Sequence, residues 1–274
     1  MKIASLQPSV SIVLERLGCL DLVTACTRYC LEVVPALRER GVAVVHDSWS
    51  TTMQELLAVQ PDLVIASVPY REESLRAILK AGYPVLALAP HTLADIDQDI
   101  RLIAGATGRT EAMGCAEAVI REMRDGIEAV RQRCAAIQKK PLVYCEEWGK
   151  PLIASQSWVR EMIEAAGGVF LGEPGKVTTV EAVAEADPEV VIAAWCGAGD
   201  RVPLEKVAAR PGWEAMRAVQ AGRVYCIADE LLNTPAPTLV SGLRAIAAAL
   251  HPDEFGAAEG LRRLALNRST HPCV

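Results

Sequence analysis

The stretch TTMQELLAVQPDLVIA, from Thr51 to Ala66, decides the fold of this chain. A second stretch, TTVEAVAEADPEVVIA from Thr178 to Ala193, follows at a constant offset of 127 residues, with six of sixteen positions identical. Each copy predicts a threonine-capped amphipathic helix, then a proline, then a buried Val-Ile-Ala strand. Helix–proline–strand units occur in many α/β proteins, so a chance likeness is one interpretation. The other is two related lobes in one chain, which commonly bind a ligand in the cleft between them.

Composition narrows the class of protein. The chain has 274 residues, enough for one large domain or two ordinary ones, and 51% hydrophobic residues, enough for substantial cores. The net charge of −6 argues against nucleic-acid binding. Nine cysteines without a CxxC or zinc-type spacing indicate reduced core thiols. The N-terminus shows no signal peptide, so we expect a cytoplasmic protein as written, and an extracytoplasmic one if a leader was trimmed.

The order of predicted elements indicates an α/β fold. Short apolar strands alternate with helices, which is typical of mostly parallel sheets covered on both faces. One segment, 111–137, breaks this rhythm with a continuous apolar stripe at helical spacing. A helix of that length spans about 40 Å, and we expect it to be a rigid link that limits hinge motion between lobes. The predicted domains are an N-terminal lobe 1–108, an interlobe helix 109–139, a C-terminal lobe 140–252 and a tail 253–274.

Candidate binding residues follow the predicted strands, because ligands of open α/β sheets sit beyond the carboxyl ends of the strands. Four large aromatic residues have this placement: Tyr29, Trp49, Trp148 and Trp195. Together they suggest an apolar small-molecule site, although each tryptophan alone could be a core residue. We find no nucleophile elbow, phosphate loop, HExxH or dinucleotide motif, and so no catalytic residue is predicted.

A metal site is a weaker hypothesis. Several residues that could ligate a transition metal also follow predicted strands: Cys30, His91, Cys145, Glu146 and Cys196. Their spacing matches no metal-binding motif, and buried thiols are the simpler interpretation. The adjacent carboxylates Glu146 and Glu147 are more typical of a solvated loop than of an acid/base pair.

The order of these features resembles the helical-backbone substrate-binding proteins of ABC importers for cobalamin, haem and ferric siderophores. The resemblance covers about Ile3 to Pro252 and rests on three kinds of segment. These are SLQPSVSIVLERLGCLDLVTACTRYC near the N-terminus, the long helix, and VYCEEWGKPLIASQSWVREMIEAAGG with WEAMRAVQAGRVYCIADELL in the second half. The resemblance implies two Rossmann-like lobes with mostly parallel sheets, joined by one long α-helix.

The resemblance also implies a function. Cobalamin-binding members are most similar, and Tyr29, Trp49 and Trp148 match positions where those proteins place aromatic rings against the corrin. Trp195, Asp229 and Asn233 would approach the ligand from the second lobe. Two acids, Glu55 and Glu181, fall where the family docks to arginines of the permease dimer.

The prediction is therefore a monomeric, non-enzymatic protein without a resident cofactor. It would bind a corrinoid or another metal chelate and deliver it to an ABC importer. The alternative is a cytoplasmic protein that handles such chelates, or an enzyme that reuses the fold.

Overall fold

The computed structural model describes residues 1–265, and the nine residues that follow lie outside this description. The strands are β1 (Ile3–Ser5), β2 (Val23–Thr27), β3 (Ala43–Val45), β4 (Leu63–Ser67), β5 (Val85–Leu88), β6 (Leu142–Gly149), β7 (Leu152–Ala154), β8 (Val169–Phe170), β9 (Val177–Thr178), β10 (Val190–Ala193), β11 (Val224–Ile227) and β12 (Leu261–Arg263). The helices are α1 (Pro8–Arg16), α2 (Arg28–Val33), α3 (Ala36–Glu39), α4 (Met53–Val59), α5 (Glu72–Lys80), α6 (Leu93–Ala106), α7 (Thr110–Ala135), α8 (Ser157–Ala165), α9 (Val180–Ala186), α10 (Leu204–Ala208), α11 (Arg217–Gln220), α12 (Leu239–Leu250) and α13 (Pro252–Phe255), with 3₁₀ turns at Leu20–Leu22, Trp213–Ala215 and Asp229–Leu231.

The chain forms two compact units, each with its own sheet. The first unit contains Met1–Asp125 and Thr234–Pro237, and the second contains Gly126–Asn233 and residues 238–265. The boundary falls inside α7, so one continuous helix belongs partly to each unit. This arrangement of two α/β units and a long helix confirms the predicted fold class.

The first unit has a five-stranded sheet in the order β3-β2-β1-β4-β5, and every pair of strands in it is parallel. Its strands are short and apolar because both faces are covered by helices. The core includes fully buried Leu6, Leu56 and Ile78, from the end of β1, from α4 and from α5. A parallel sheet of this kind places all its carboxyl strand ends along one edge.

The second unit has a mixed sheet in the order β12-β11-β10-β6-β7-β9, with β8 also paired to β6. The pairs β8-β6, β6-β10 and β10-β11 are parallel, whereas the three pairs nearer the edges are antiparallel. Strand β6 runs to Gly149 and turns back into β7. The segment 253–274 was predicted only as a tail, but it contributes an edge strand, β12.

The repeat is confirmed in three dimensions. Thr52 and Thr179 each accept a hydrogen bond at the start of a seven-residue helix, α4 and α9. Those helices end at Gln60 and Asp187, with φ of 46° and 45°, the two non-glycine residues of positive φ in the described chain. A left-handed backbone conformation costs a non-glycine residue about 1 kcal/mol. Its presence at the same position of both copies is therefore a specific similarity between them. Each pair of equivalent residues is 127 positions apart, as in the sequence.

The long helix α7 runs over 26 residues, or about 39 Å, and ends two residues before the predicted end. Its buried side chains follow the predicted stripe, with Ala116, Ile120, Met123 and Cys134 among them. Met113, near the start of the helix, is 40% exposed. Within residues 1–265, no helix combines the length and the apolar character that crossing a bilayer requires.

The segment that follows β2 is helix α2. Thr27 caps this helix, because its side-chain oxygen accepts the backbone N–H of Cys30 at 3.1 Å. The helix matters for the site, because Tyr29 lies in its first turn.

Candidate functional site

In the first unit, two aromatic side chains stand beyond the carboxyl ends of the strands, and we call Tyr29 and Trp49 the first aromatic surface. Tyr29 is partly buried, and the Trp49 side chain is 51% exposed. An arginine guanidinium lies over each ring. Arg28 is 4.7 Å from the centroid of the Tyr29 ring, and Arg71 is 5.7 Å from the centroid of the Trp49 ring. Arg28 also donates a hydrogen bond to the Tyr29 hydroxyl at 2.7 Å.

The backbone under Trp49 is held firmly, although its indole is open to solvent. Asp47 Oδ1 accepts the N–H groups of Trp49 and Ser50 at 3.2 and 3.0 Å and the Ser50 hydroxyl at 2.7 Å. The Ser74 hydroxyl donates to the Trp49 carbonyl at 2.9 Å. An exposed ring on a fixed backbone is pre-organised for stacking, because little conformational entropy remains to be lost on binding.

Beside Tyr29, the first unit has an open depression of about 300 Å³. Its lining residues come from β2, α2, β3 and α4 and the segments next to them: Thr27, Arg28, Tyr29, Val44, Val45, His46, Asp47, Ser50 and Glu55. The lining mixes apolar, cationic, anionic and hydroxyl groups, which suits a ligand with an apolar body and polar substituents.

Glu55 is more constrained than an exposed docking acid would be. Its side chain is 24% exposed. One carboxylate oxygen lies 2.6 Å from His46 Nδ1 and accepts the His46 N–H, while the other accepts the N–H and the hydroxyl of Thr52, both at 3.0 Å. Burial opposes ionisation of this carboxyl, but the hydrogen bonds from His46 and Thr52 hold its pKa below the usual value. Glu181, the other predicted docking acid, is exposed on the first turn of α9.

In the second unit, Trp148 lies within β6 rather than after a strand, and its side chain is 44% exposed. It faces Ile153 across the antiparallel pair of β6 and β7, and its indole N–H donates to the Lys150 carbonyl at 2.9 Å. The position of the ring is thus fixed by a β-hairpin that the sequence did not predict.

Trp195, two residues after the end of β10, is held by a buried ion pair. Its indole N–H donates to Glu146 Oε1 at 2.9 Å, and Arg210 donates to both oxygens of the same carboxylate at 2.8 and 2.9 Å. Glu146 is fully buried, and the Arg210 side chain is 11% exposed. Gly149 lies flat against the indole, since a Cβ built there would be 2.7 Å from Trp195 Cε2. The Trp195 ring is therefore fixed between Gly149 and the ion pair. Trp148 lies two residues from Glu146 on the same strand. We call Trp148 and Trp195 the second aromatic surface.

Asp229 and Asn233 organise the loop after Trp195. The Asp229 carboxylate accepts the N–H groups of Gly197 and Gly199, both at 2.7 Å. Asn233 Nδ2 donates to the Ala194 carbonyl at 2.6 Å and lies 3.4 Å from Cys196 Sγ. Both side chains, proposed from the sequence as ligand contacts, thus already hold backbone of the second unit, although Asn233 Oδ1 has no partner among the described residues.

The five candidate metal donors do not assemble. Cys30 and Cys145 are fully buried, and desolvation raises the pKa of the Cys145 thiol to about 12. Glu146 is occupied by Arg210 and Trp195, and His91 is exposed at the start of α6. Across residues 1–265, no group of three or more His, Cys, Asp or Glu side chains could hold a metal ion. The adjacent Glu147 is not a solvated loop acid as predicted, because burial raises its pKa and Gln156 donates to it at 2.6 Å.

Sequence reasoning missed Arg210, Gly149 and His46. Arg210 lies 64 residues from its partner Glu146, and no periodic pattern connects the two. The role of Gly149 becomes apparent only in the structure, where the Trp195 indole packs against it. For His46, the available signal was its nearness in the sequence to Glu55, nine residues away in the first turn of the repeated helix.

Comparisons with known proteins show the family to which the chain belongs. Residues 3–231 match the family model described as periplasmic binding protein, and the chain therefore belongs to that family. An uncharacterized ABC transporter substrate-binding lipoprotein, YvrC of Bacillus subtilis, is 25% identical over 269 residues, covering 93% of this chain and 81% of the relative. A protein of Halobacterium salinarum named as cobalamin-binding is 24% identical over 261 residues, covering 91% of this chain and 69% of the relative.

Among solved structures, a periplasmic haem-binding protein from Pseudomonas aeruginosa superposes with a TM-score of 0.83 at 22% identity, covering 96% of this chain and 98% of that one. This likeness confirms the fold. Family membership and the curated relatives define the class of protein, a solute-binding protein of ABC importers, which the sequence predicted.

Proposed function

We propose that this protein captures a corrinoid or a similar planar metal chelate outside the cytoplasm and delivers it to an ABC permease. The observation that carries the proposal is the pair of aromatic surfaces, one in each unit. The rings of Trp49 and Trp148 are about half exposed, while hydrogen bonds hold the Trp49 backbone and the Trp148 indole in place. The family and the cobalamin-binding relative support the ligand class, and the lipoprotein relative supports the compartment.

Covering the exposed ring area of Trp49 and Trp148 would offset part of the free-energy cost of association. A tryptophan side chain has about 200 Å² to bury, and about half of it is still exposed at Trp49 and Trp148. At about 25 cal/mol per Å², covering the remainder contributes about 2.5 kcal/mol per ring, or about 5 kcal/mol for both. Association costs about 4–15 kcal/mol, so the two rings offset only the lower part of that range. Tyr29, Trp195 and polar contacts must supply the rest.

The ligand class is tested by titrating the purified protein with cobalamin, cobinamide and haem. Binding should quench tryptophan fluorescence and shift the visible bands of the chelate. Trp49→Ala and Trp148→Ala should each weaken binding by tenfold or more, because each removes about 2.5 kcal/mol of ring burial. Leu79→Ala, at a 61% exposed residue on α5, is the matched control and should bind like wild type. No saturable change with any of the three chelates would refute the ligand class.

We further propose that the exposed acid Glu181 contacts the permease. Glu181→Lys should reduce chelate uptake by cells that carry this protein with its permease, while leaving chelate affinity in vitro unchanged. Glu185→Lys changes another exposed acid of the same helix α9 and controls for net charge. Equal uptake by both variants and wild type would contradict a docking role for Glu181. Glu55 was predicted for the same role, but its carboxylate is engaged by His46 and Thr52, which makes it the weaker candidate.

A further inference from the structure

A buried cluster of thiols and hydroxyls lies in the first unit, at the junction of β2 and α2. Cys26 belongs to β2 and Cys30 to the first turn of α2, and both residues are fully buried. The hydroxyl of Thr27, between them in the sequence, donates to Cys30 Sγ at 3.2 Å and accepts the Cys30 N–H at 3.1 Å. Neither thiol has a part in the proposed capture of a chelate.

Strand pairing brings the two thiols to the same side of the sheet. Ser5 of β1 is the register partner of Cys26. Their neighbours Ala4 and Ala25 pack into the apolar core on one face of the sheet, so both side chains point to the other face. The thiol of Cys30 donates to the Ser5 carbonyl at 3.8 Å. Cys30 Sγ therefore lies at the same strand ends as Cys26, and the two thiols form a hydrogen bond with each other.

The hydrogen bonds around Cys30 distinguish the two thiols chemically. Burial opposes ionisation of Cys30, but hydrogen bonds from Cys26, Ser11 and Thr27 lower its pKa. The hydrogen bond to Cys30 and burial both raise the pKa of Cys26. Because the thiolate is the nucleophile in thiol–disulfide exchange, Cys30 is the attacking residue and Cys26 the resolving one.

We propose that Cys26 and Cys30 form an intramolecular disulfide when the protein meets a disulfide oxidant such as oxidised glutathione. The Cys30 thiolate attacks one sulfur of the oxidant, the S–S bond of the oxidant breaks, and one glutathione leaves as a thiolate. Cys26 then loses its proton and attacks Cys30 Sγ, and the second glutathione leaves. The protein loses two electrons and two protons, and the oxidant becomes two glutathione thiols.

The disulfide joins the end of β2 to the first turn of α2. Helix α2 has six residues, too few to be stable without the contacts of the folded protein, so local opening of this helix admits the oxidant. Disulfides persist outside the cytoplasm, where we place this protein. The inference goes beyond the proposed function and does not depend on the ligand.

The test treats the reduced full chain with excess oxidised glutathione, alkylates the remaining thiols and maps them by mass spectrometry. Trypsin cuts after Arg28, between the two cysteines, so the disulfide should join the peptides 17–28 and 29–38. The first peptide also contains Cys19, and fragmentation assigns the bond to Cys26. Oxidation should raise the melting temperature by about 4 °C, because the closed loop restricts the unfolded chain. Dithiothreitol should reverse both changes.

Cys134→Ser, at a buried cysteine of α7, is the matched control and should form the same linked peptides as wild type. Cys26→Ser should retain one glutathione on Cys30, because no resolving thiol remains, and circular dichroism verifies its fold. Wild type with both thiols still open to alkylation after oxidation, or with Cys30 bonded to Cys19, would overturn the inference. Either result leaves the proposed function untouched, because no chelate takes part in the experiment.

Discussion

The ion pair between Glu146 and Arg210 offers the sharpest test of the second unit. Glu146→Ala leaves the guanidinium buried without its partner and removes the acceptor of the Trp195 indole N–H. Breaking a buried pair in this way costs about 3–5 kcal/mol, because the remaining charge is neither paired nor hydrated. For a chain of this size, that loss lowers the melting temperature by about 6–20 °C. Urea denaturation followed by far-ultraviolet circular dichroism measures the free energy of unfolding.

Two controls separate burial from charge. Glu117 pairs with Arg101 in the same two-bonded geometry, at 2.7 and 3.1 Å, but its side chain is 52% exposed. Glu117→Ala should therefore leave the free energy of unfolding nearly unchanged, because solvent screens an exposed ion pair. The double variant Glu146→Leu with Arg210→Met should recover most of the loss, because an apolar pair carries no desolvation penalty. Equal losses for Glu146→Ala and Glu117→Ala would refute the argument that burial makes the second-unit pair important.

Three further outcomes are expected. Burial, aided by repulsion from Asp95, raises the pKa of Asp99 to about 6, so folding stability falls as pH rises from about 4 to 6. Allowing for partial solvent exposure, Asp99→Asn should raise the free energy of unfolding by about 1–2 kcal/mol at pH 7.5 and leave it unchanged at pH 4. Urea denaturation at both pH values measures the difference. Gly149→Ala puts a methyl group against the Trp195 indole and should cost about 1–3 kcal/mol, with a red shift of tryptophan emission that an unmoved ring would not give. Thr179→Ala removes the cap of α9 and should cost about 1 kcal/mol in thermal melts, and an unchanged melting temperature would contradict the capping role.

Much of the fold could be predicted from local pattern. The repeat located α4, α9, β4 and β10 because a threonine cap, a helical period and a proline are all written within sixteen residues. The long helix was recognisable because its apolar stripe continues over seven turns. The predictions failed where pairing at long range decides the structure, as for the extension of β6 to Gly149 and for edge strand β12. Whether a segment forms a strand at a sheet edge depends on which other segment becomes its neighbour, and the local sequence does not indicate that neighbour.

The sequence by itself determined the two α/β lobes, the long helix between them and the aromatic residues near the carboxyl ends of the strands. Only the tertiary structure decided how those residues are used. In the structure, the Asp229 carboxylate binds the N–H groups of Gly197 and Gly199, and the Glu55 carboxylate binds His46. The sequence had predicted Asp229 as a ligand contact and Glu55 as a docking acid. The physical reason is that helical and strand periods are local, whereas a polar group's partner is whichever donor or acceptor the fold brings within about 3 Å.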